Sequence, residues 1–177
     1  MIERRKILAL PLIIGFASYF GGCETLGIAD RQPSASLRTD SAEIGVHKSG
    51  NAYLAKIGFL YVNTTSQPVS MAGCGGPPFP ELQKKVNGRW VAAYYPVYPM
   101  CLTKPDFMIP SDSSFHGVLQ FDAYEPGHNT APDLLVDSID GIYRLEWDFV
   151  QGTDATATGA RGVKATSNEF RMTLVQQ

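Results

Sequence analysis

The sequence is poor in charged side chains and has no strong excess of either sign. Charged residues make up 18% of the 177 residues, and the formal net charge is −2. Nucleic-acid binding depends on lysine and arginine side chains that neutralise phosphates, and no basic cluster follows the first six residues. The composition therefore argues against a nucleic-acid partner. Hydrophobic residues, at 44%, are numerous enough to predict a folded core.

The sequence also lacks the motifs of common enzymes. Its three histidines, His47, His116 and His128, are scattered, and there is no Gly-x-Ser-x-Gly elbow, phosphate loop or paired-carboxylate motif. Ser114 and His116 share one strand parity, but the pleat alone explains that spacing. We therefore predict a protein without enzymatic activity and without a cofactor.

Cysteine is scarce, and two of the three cysteines, Cys74 and Cys101, lie in the body of the chain. An even pair in an exported domain predicts a disulfide, which would stabilise the fold by roughly 3 kcal/mol. The alternative is a copper site built from soft ligands. Its candidate ligands are Met71, Cys74, Met100, Cys101, Met108 and His116. No Cys-x-x-Cys or Met-rich repeat supports that alternative, so we predict the disulfide and no metal.

The beginning of the chain has the three parts of an export signal. Residues 1–6 are positively charged, residues 7–20 are apolar, and Gly21-Gly22 stands directly before Cys23. The apolar run is shorter than the roughly 20 residues that a membrane-spanning helix needs. It is typical of a signal peptide, which we assign to residues 1–22.

Phe20-Gly21-Gly22-Cys23 resembles the lipobox of bacterial lipoproteins, with phenylalanine in place of the usual leucine. The resemblance implies cleavage before Cys23 and attachment of lipid, palmitate included, to that residue. Two or more acyl chains would hold the protein stably on a membrane. Residues 23–42 then form the lipidated cysteine and a flexible tether. Because Glu24 is not the aspartate that favours inner-membrane retention, the resemblance favours the outer membrane of the cell envelope over the inner one.

From residue 43 onward the dominant hydrophobic period is two, which predicts β-strands. Gly141–Val150 and Phe170–Leu174 alternate apolar and polar residues, and Tyr53–Asn63 is apolar on both parities, as in a central strand. Asn87-Gly88 predicts a tight hairpin, since both residues accept positive φ angles. Ile44–His47 is predicted as an edge strand.

About seven such strands and no helical period predict an all-β fold, an antiparallel immunoglobulin-like β-sandwich over residues 43–177. The run from Ile139 to Tyr143 is similar to a tyrosine corner, in which the ring hydroxyl ties down the preceding loop. A jelly roll or a small barrel is the alternative architecture.

An aromatic, proline-rich stretch lies between the two body cysteines. Tyrosine offers contact area and a polar tip, which suits it to peptide or glycan contact. We predict a binding surface there, formed by Phe79, Tyr94, Tyr95 and Tyr98.

Several short runs resemble immunoglobulin-like domains of bacterial lipoproteins and, distantly, the bacterial intracellular proteinase inhibitor domain. They are Phe59-Leu-Tyr-Val-Asn-Thr-Thr-Ser-Gln-Pro-Val69, Cys74-Gly75, Asn87-Gly88-Arg89-Trp90, Cys101-Leu102 and Ile109-Pro110. The first hypothesis is a non-enzymatic envelope lipoprotein that binds a protein or glycan of the envelope or serves assembly. The second is a protease inhibitor that uses the Gly75–Pro80 loop, although no inhibitory residue matches.

Overall fold

A computed structural model describes residues 36–71, 79–95, 107–127, 132–154 and 161–175. Every regular element in these ranges is a β-strand, which confirms the predicted all-β class. None of these ranges contains a helix that could cross a membrane. The strands are β1 (Leu37–Thr39), β2 (Glu43–Ser49), β3 (Ala52–Val62), β4 (Val69–Met71), β5 (Glu81–Val86), β6 (Arg89–Ala92), β7 (Tyr94–Tyr95), β8 (Phe107–Ile109), β9 (Ser114–Tyr124), β10 (Asp133–Leu134), β11 (Gly141–Gln151), β12 (Gly162–Thr166) and β13 (Phe170–Leu174).

The long strands follow the alternation of the sequence. In β11 the side chains of Tyr143, Leu145, Trp147 and Phe149 are buried, and the residues between them lie nearer the surface. The strands β9 and β13 show the same two-residue period. β3 is the predicted central strand, since β1 and β2 lie along one of its edges and β9 along the other.

Nine of the described strands follow one hydrogen-bonded path, β6-β5-β11-β13-β2-β3-β9-β10-β7, and β1, β4, β8 and β12 pair off it. β2 joins the two halves of this path, because residues 43–46 pair with β13 and residues 47–49 pair with β3. The prediction of an edge strand over Ile44–His47 was therefore wrong. The predicted antiparallel order also has two exceptions, since β2 runs parallel to β13 and β10 runs parallel to β9.

The two ends of the path meet at Ala93, between β6 and β7. The Ala93 N–H donates to the carbonyl of Leu82 in β5, 2.8 Å away. The Ala93 carbonyl accepts a hydrogen bond from the N–H of Leu135, just after β10, at 2.9 Å. One residue thus connects both halves, and the sheet curls until its ends touch.

The two halves of the curled sheet face each other across an aromatic core. Trp147 of β11 packs edge-on against Phe59 and Tyr61 of β3, with ring centroids 5.3 and 5.9 Å apart. The Tyr61 ring also lies 4.6 Å from that of Phe149. Such pairs are worth about 0.5–1.5 kcal/mol each beyond the area they bury, so this cluster is a large part of what holds the halves together.

Thirteen described strands replace the predicted seven because several short strands, β1, β4, β8 and β12, were not predicted. β12 and β13 lie end to end along the same edge of β11, opposite residues 146–150 and 141–143. β4 and β5 likewise share the other edge of β11. A strand of three to five residues leaves little trace in a hydrophobic period, so the sequence does not reveal these short segments.

The domain begins before residue 43. Leu37 of β1 is completely buried and pairs with Tyr61 of β3. Part of the predicted tether over residues 23–42 therefore belongs to the sheet. A three-residue strand is too short to show a period of two, so the hydrophobic pattern predicted a tether at these residues instead of a strand.

The described domain has two distinguishable ends. At the proximal end the chain enters at Ser36, whose carbonyl accepts a hydrogen bond from the N–H of Val62. β3 runs from Val62 back to Ala52 at the distal end, a length of about 36 Å at 3.3 Å per residue. The Asn87-Gly88 turn and residues 135–140 also lie at the distal end, since β5, β10 and β11 place them there.

Candidate functional site

A cleft of about 380 Å³ opens at the distal end, where β6 and the segment after β10 diverge. We call it the distal cleft. It is lined by Lys84, Lys85, Val86, Asn87, Val91, Leu135, Val136, Asp137 and Ser138. Its volume falls within the range of pockets that bind small molecules or single peptide side chains.

Three large apolar side chains stay accessible at this cleft. Leu135 is 53% exposed, Val91 39% and Val86 36%. The alternation of β5 turns Val86 to the same side as the fully buried Leu82. Val86, however, is the last residue of β5 and directly precedes the Asn87-Gly88 turn, whereas Leu82 lies near the other end of the strand, inside the core. The result is an apolar centre with a polar rim, the composition typical of a protein interface.

A buried lysine forms one wall of the distal cleft. The Lys84 ammonium donates to the carbonyl oxygen of Ser138 at 2.5 Å and to its hydroxyl oxygen at 3.0 Å. Burial lowers the pKa of Lys84, and the charges of Asp140 and Asp137 partly oppose that shift. A side chain at Gly141 would place its Cβ 2.6 Å from the Cε atom of Lys84, so the glycine is what admits the lysine.

The loop next to the cleft is held by Tyr143. Its hydroxyl donates a 2.6 Å hydrogen bond to the carbonyl of Ile139, four residues earlier. This is the bond expected from the similarity to a tyrosine corner. Burial of the ring, helped by the charge of Asp140, raises the pKa of Tyr143. The loop that carries Leu135 is therefore anchored from within, while its outer side chains remain exposed.

The predicted aromatic surface does not form as a unit in the described residues. Phe79 is 43% exposed just before β5, as a surface residue would be. Tyr94 is only 7% exposed and packs edge-on against Phe121, with ring centroids 5.1 Å apart. Its assignment to the surface was wrong, because the chain crosses at Ala93 into the other half of the sheet and carries Tyr94 inward. The side chain of Tyr95 and all of Tyr98 lie outside the described residues.

Several other predicted site residues also lie outside the described ranges. Cys23, Cys74 and Cys101 all fall there, as do the first four residues of the Gly75–Pro80 loop. Lipidation, the disulfide and the inhibitory loop therefore stay predictions.

His116 forms a hydrogen bond with a carboxylate at the surface. Its Nε2 atom lies 2.8 Å from a carboxylate oxygen of Asp40, and both side chains are about half exposed. Asp40 reaches His116 across Gly58, where any Cβ would come within 2.2 Å of the carboxylate. In the part of the chain that the structure describes, no three His, Cys, Asp or Glu side chains are grouped as metal ligands.

The soft ligands of the copper alternative are only partly described. Met71 and Met108 lie on the neighbouring strands β4 and β8, and Met108 is 46% exposed. His116 lies on β9 and is engaged by Asp40. The other candidate ligands, Cys74, Met100 and Cys101, lie outside the described residues, so the copper alternative stays untested.

The sequence pattern also did not single out Trp90, a half-buried tryptophan on the outer face of β6. The Trp90 ring lies under the guanidinium of Arg144, 4.5 Å away, and near the ammonium of Lys85 at 5.3 Å. Arg144 also donates to Gln83 and Glu146. These groups satisfy one another, so we interpret this face as structural.

The distal cleft itself was not predicted. One available signal was Val86, an apolar residue directly before the Asn87-Gly88 turn, with Val91 three residues after that turn. Leu135, between the buried Leu134 and Val136, was the other signal. The chain matches no protein-family model, no curated protein and no solved structure.

Proposed function

We propose that this chain is a non-enzymatic, lipid-anchored protein of the bacterial cell envelope, more specifically of the outer membrane, whose immunoglobulin-like β-sandwich binds another envelope component. The observation that carries the binding role is the distal cleft, with its three exposed apolar side chains and polar rim. The lipid anchor at Cys23 rests on the resemblance of residues 20–23 to a lipobox.

Three features support the immunoglobulin-like assignment. The Tyr143 hydroxyl bonds to the chain four residues upstream, as in the tyrosine corner of such domains. The buried faces of β3 and β11 contact each other through Trp147. The chain that enters the domain pairs first with β3, as β1, and then in parallel with the last strand, through residues 43–46 of β2.

The position of the cleft supports a partner away from the lipid surface. The chain enters the domain at Ser36, at the proximal end, and the cleft lies at the distal end. A domain anchored through residue 23 would thus present the cleft away from its own membrane. The exposed apolar side chains are then available to a protein rather than to the bilayer.

The binding role can be tested in intact cells with two matched variants. We expect Leu135→Glu to reduce cross-linking of the full chain to its envelope partner at least tenfold, because the charge enters the apolar centre of the cleft. Val118→Glu is the control, since Val118 is 45% exposed on β9 and outside the cleft. Equal cross-linking by both variants would contradict the proposed site.

The anchor is tested separately by metabolic labelling with a fatty-acid analogue. We expect the wild-type chain to be labelled and Cys23→Ser to remain unlabelled. Equal labelling of the two chains would rule out Cys23 as the lipidated residue.

A further inference from the structure

We infer that the distal cleft receives an extended segment of a separate protein, which adds to the sheet by pairing with the outer edge of β6. This inference rests on the proposed binding function and specifies its mode. Three observations carry it: the hydrogen-bonding parity of β6, the point at which its neighbouring segment diverges, and the side chains of the gap between them.

The parity of β6 turns two backbone amides away from β5. The Ala93 N–H bonds to the Leu82 carbonyl, and Lys84 is opposite Val91 in the same register. Hydrogen-bonded and non-hydrogen-bonded pairs alternate in antiparallel strands. Trp90 and Ala92 therefore occupy non-hydrogen-bonded positions, and their N–H and C=O groups point to the outer edge.

That outer edge has no strand partner among the described residues. The segment that would continue the sheet, residues 135–138, bonds to the strand only through the Leu135 N–H to Ala93. Beyond that bond the two segments separate, and the distal cleft fills the space between Val91 and residues 135–138. Among the described residues, the outer edge of β6 is therefore unpaired, and one additional strand could pair with it.

The side chains of the gap specify the added strand. Val86, Val91 and Leu135 would contact every second residue of an extended chain, so those residues should be apolar. Of the two lysines that line the cleft, Lys85 pairs with Glu169 and Lys84 donates to Ser138. The exposed Arg89 beside the cleft forms no ion pair with any described residue, so it is the cation that a partner can meet. The complementary segment is therefore an alternating apolar strand that carries an acidic residue.

The segment that precedes the domain is a poor candidate for this position. Residues 24–35 precede Ser36 at the opposite end of the domain and span at most about 40 Å when fully extended. If they ran to the cleft, Cys23 would lie there rather than at the membrane.

A peptide that pairs with β6 (strand addition) forms hydrogen bonds with the backbone amides of β6, whereas a peptide that only docks its side chains in the cleft does not. The probe is the synthetic peptide acetyl-Thr-Val-Glu-Val-Thr-Val-amide, added to the full chain in detergent micelles. We expect saturating peptide to slow hydrogen exchange of the Trp90 and Ala92 amides at least tenfold. The Val91 amide, which already bonds to β5, is the internal control and should change less.

Two N-methylated versions of the peptide keep all of its side chains. One carries methyl groups on the backbone nitrogens of the odd residues and the other on those of the even residues, so each lacks half of the backbone N–H donors. We expect at least one version to bind at least tenfold more weakly. Unchanged exchange at Trp90 and Ala92, or equal affinity of all three peptides, would overturn strand addition. A dimer of the chain that protects the same two amides without peptide would overturn the assignment to a separate protein.

These outcomes are distinguishable from failure of the proposed function. If Leu135→Glu loses cross-linking in cells while the peptide protects no amide, the binding role stands and the strand mode is wrong. If Leu135→Glu and Val118→Glu behave alike in cells, the binding role itself is wrong.

Discussion

The two ends of the domain close their loops in opposite ways. At the proximal end the fully buried Asn63 donates through its Nδ2 atom to the carbonyls of Gln67, Ile109 and Pro110, at 2.9–3.0 Å. Its Oδ1 atom accepts bonds from the N–H and the hydroxyl of Thr65. At the distal end Tyr143 and Lys84 hold the loop from inside, and apolar side chains are left at the surface.

The difference shows what each kind of closure makes available. One amide can satisfy several carbonyls of crossing loops, and the proximal cleft of about 360 Å³ that includes Thr64 and Thr65 is lined mainly by polar residues. Fewer hydrogen bonds hold the distal loop, and its outer apolar side chains are exposed to water, which is unfavourable. A partner that covers them would bury that area, which is why we place the binding site there.

The largest expected effect is on the proximal end. Asn63→Ala should lower the free energy of unfolding by roughly 3 kcal/mol, because it leaves buried carbonyls without donors. Thr64→Ala is the control, since Thr64 is exposed and forms no described hydrogen bond. Urea denaturation of the unlipidated Cys23→Ser chain would measure both. A loss below about 1 kcal/mol for Asn63→Ala would show that the proximal end does not depend on this amide.

An intermediate effect is expected from Tyr143→Phe. The variant removes the hydrogen bond to Ile139 and should cost about 1–2 kcal/mol, since the carbonyl is left unsatisfied. Loosening the distal loop should also increase hydrogen exchange over residues 135–140. Loss of stability without faster exchange there would mean that Tyr143 supports the core rather than the loop.

The same variant carries a pH signature. Because the pKa of Tyr143 is raised in the folded state, the folded chain keeps a proton that the unfolded chain loses above pH 10. Its contribution is present below pH 10 and is lost as the pH rises, by about 1.4 kcal/mol per pH unit. Lys84, whose pKa is lowered, acts in the opposite direction below pH 10.5. The difference between wild type and Tyr143→Phe isolates the tyrosine and should shrink from pH 10 to 11.

The smallest expected effect is at the exposed centre of the cleft. Leu135→Ala should change the unfolding free energy by less than about 0.5 kcal/mol, as exposed substitutions usually do. Its sequence neighbour Leu134 is 3% exposed, so Leu134→Ala should cost 2 kcal/mol or more. Similar losses in the two variants would show that Leu135 is part of the core and not free for a partner.

The strands were predictable because burial on one face imposes a period of two. Tyr143, Trp147 and Phe121 are buried as their parity requires, and Asn87 and Gly88 adopt the positive φ angles that their turn needs. The crossing at Ala93 was not predictable, since it depends on hydrogen bonds between distant segments. That crossing buried Tyr94 and displaced the predicted binding surface.

The closed path of strands also bears on solubility. An unpaired strand edge is a template for self-association, and natural sheets protect such edges with positive charges. Along the main path of strands, the outer edge of β6 is left without a described strand partner; Arg89 begins that short strand, and Lys85 on the neighbouring β5 pairs with Glu169. A positive charge at this edge would repel a second copy of the chain and leave the edge available for the foreign strand that we propose. At high ionic strength this protection weakens, because the charges are screened.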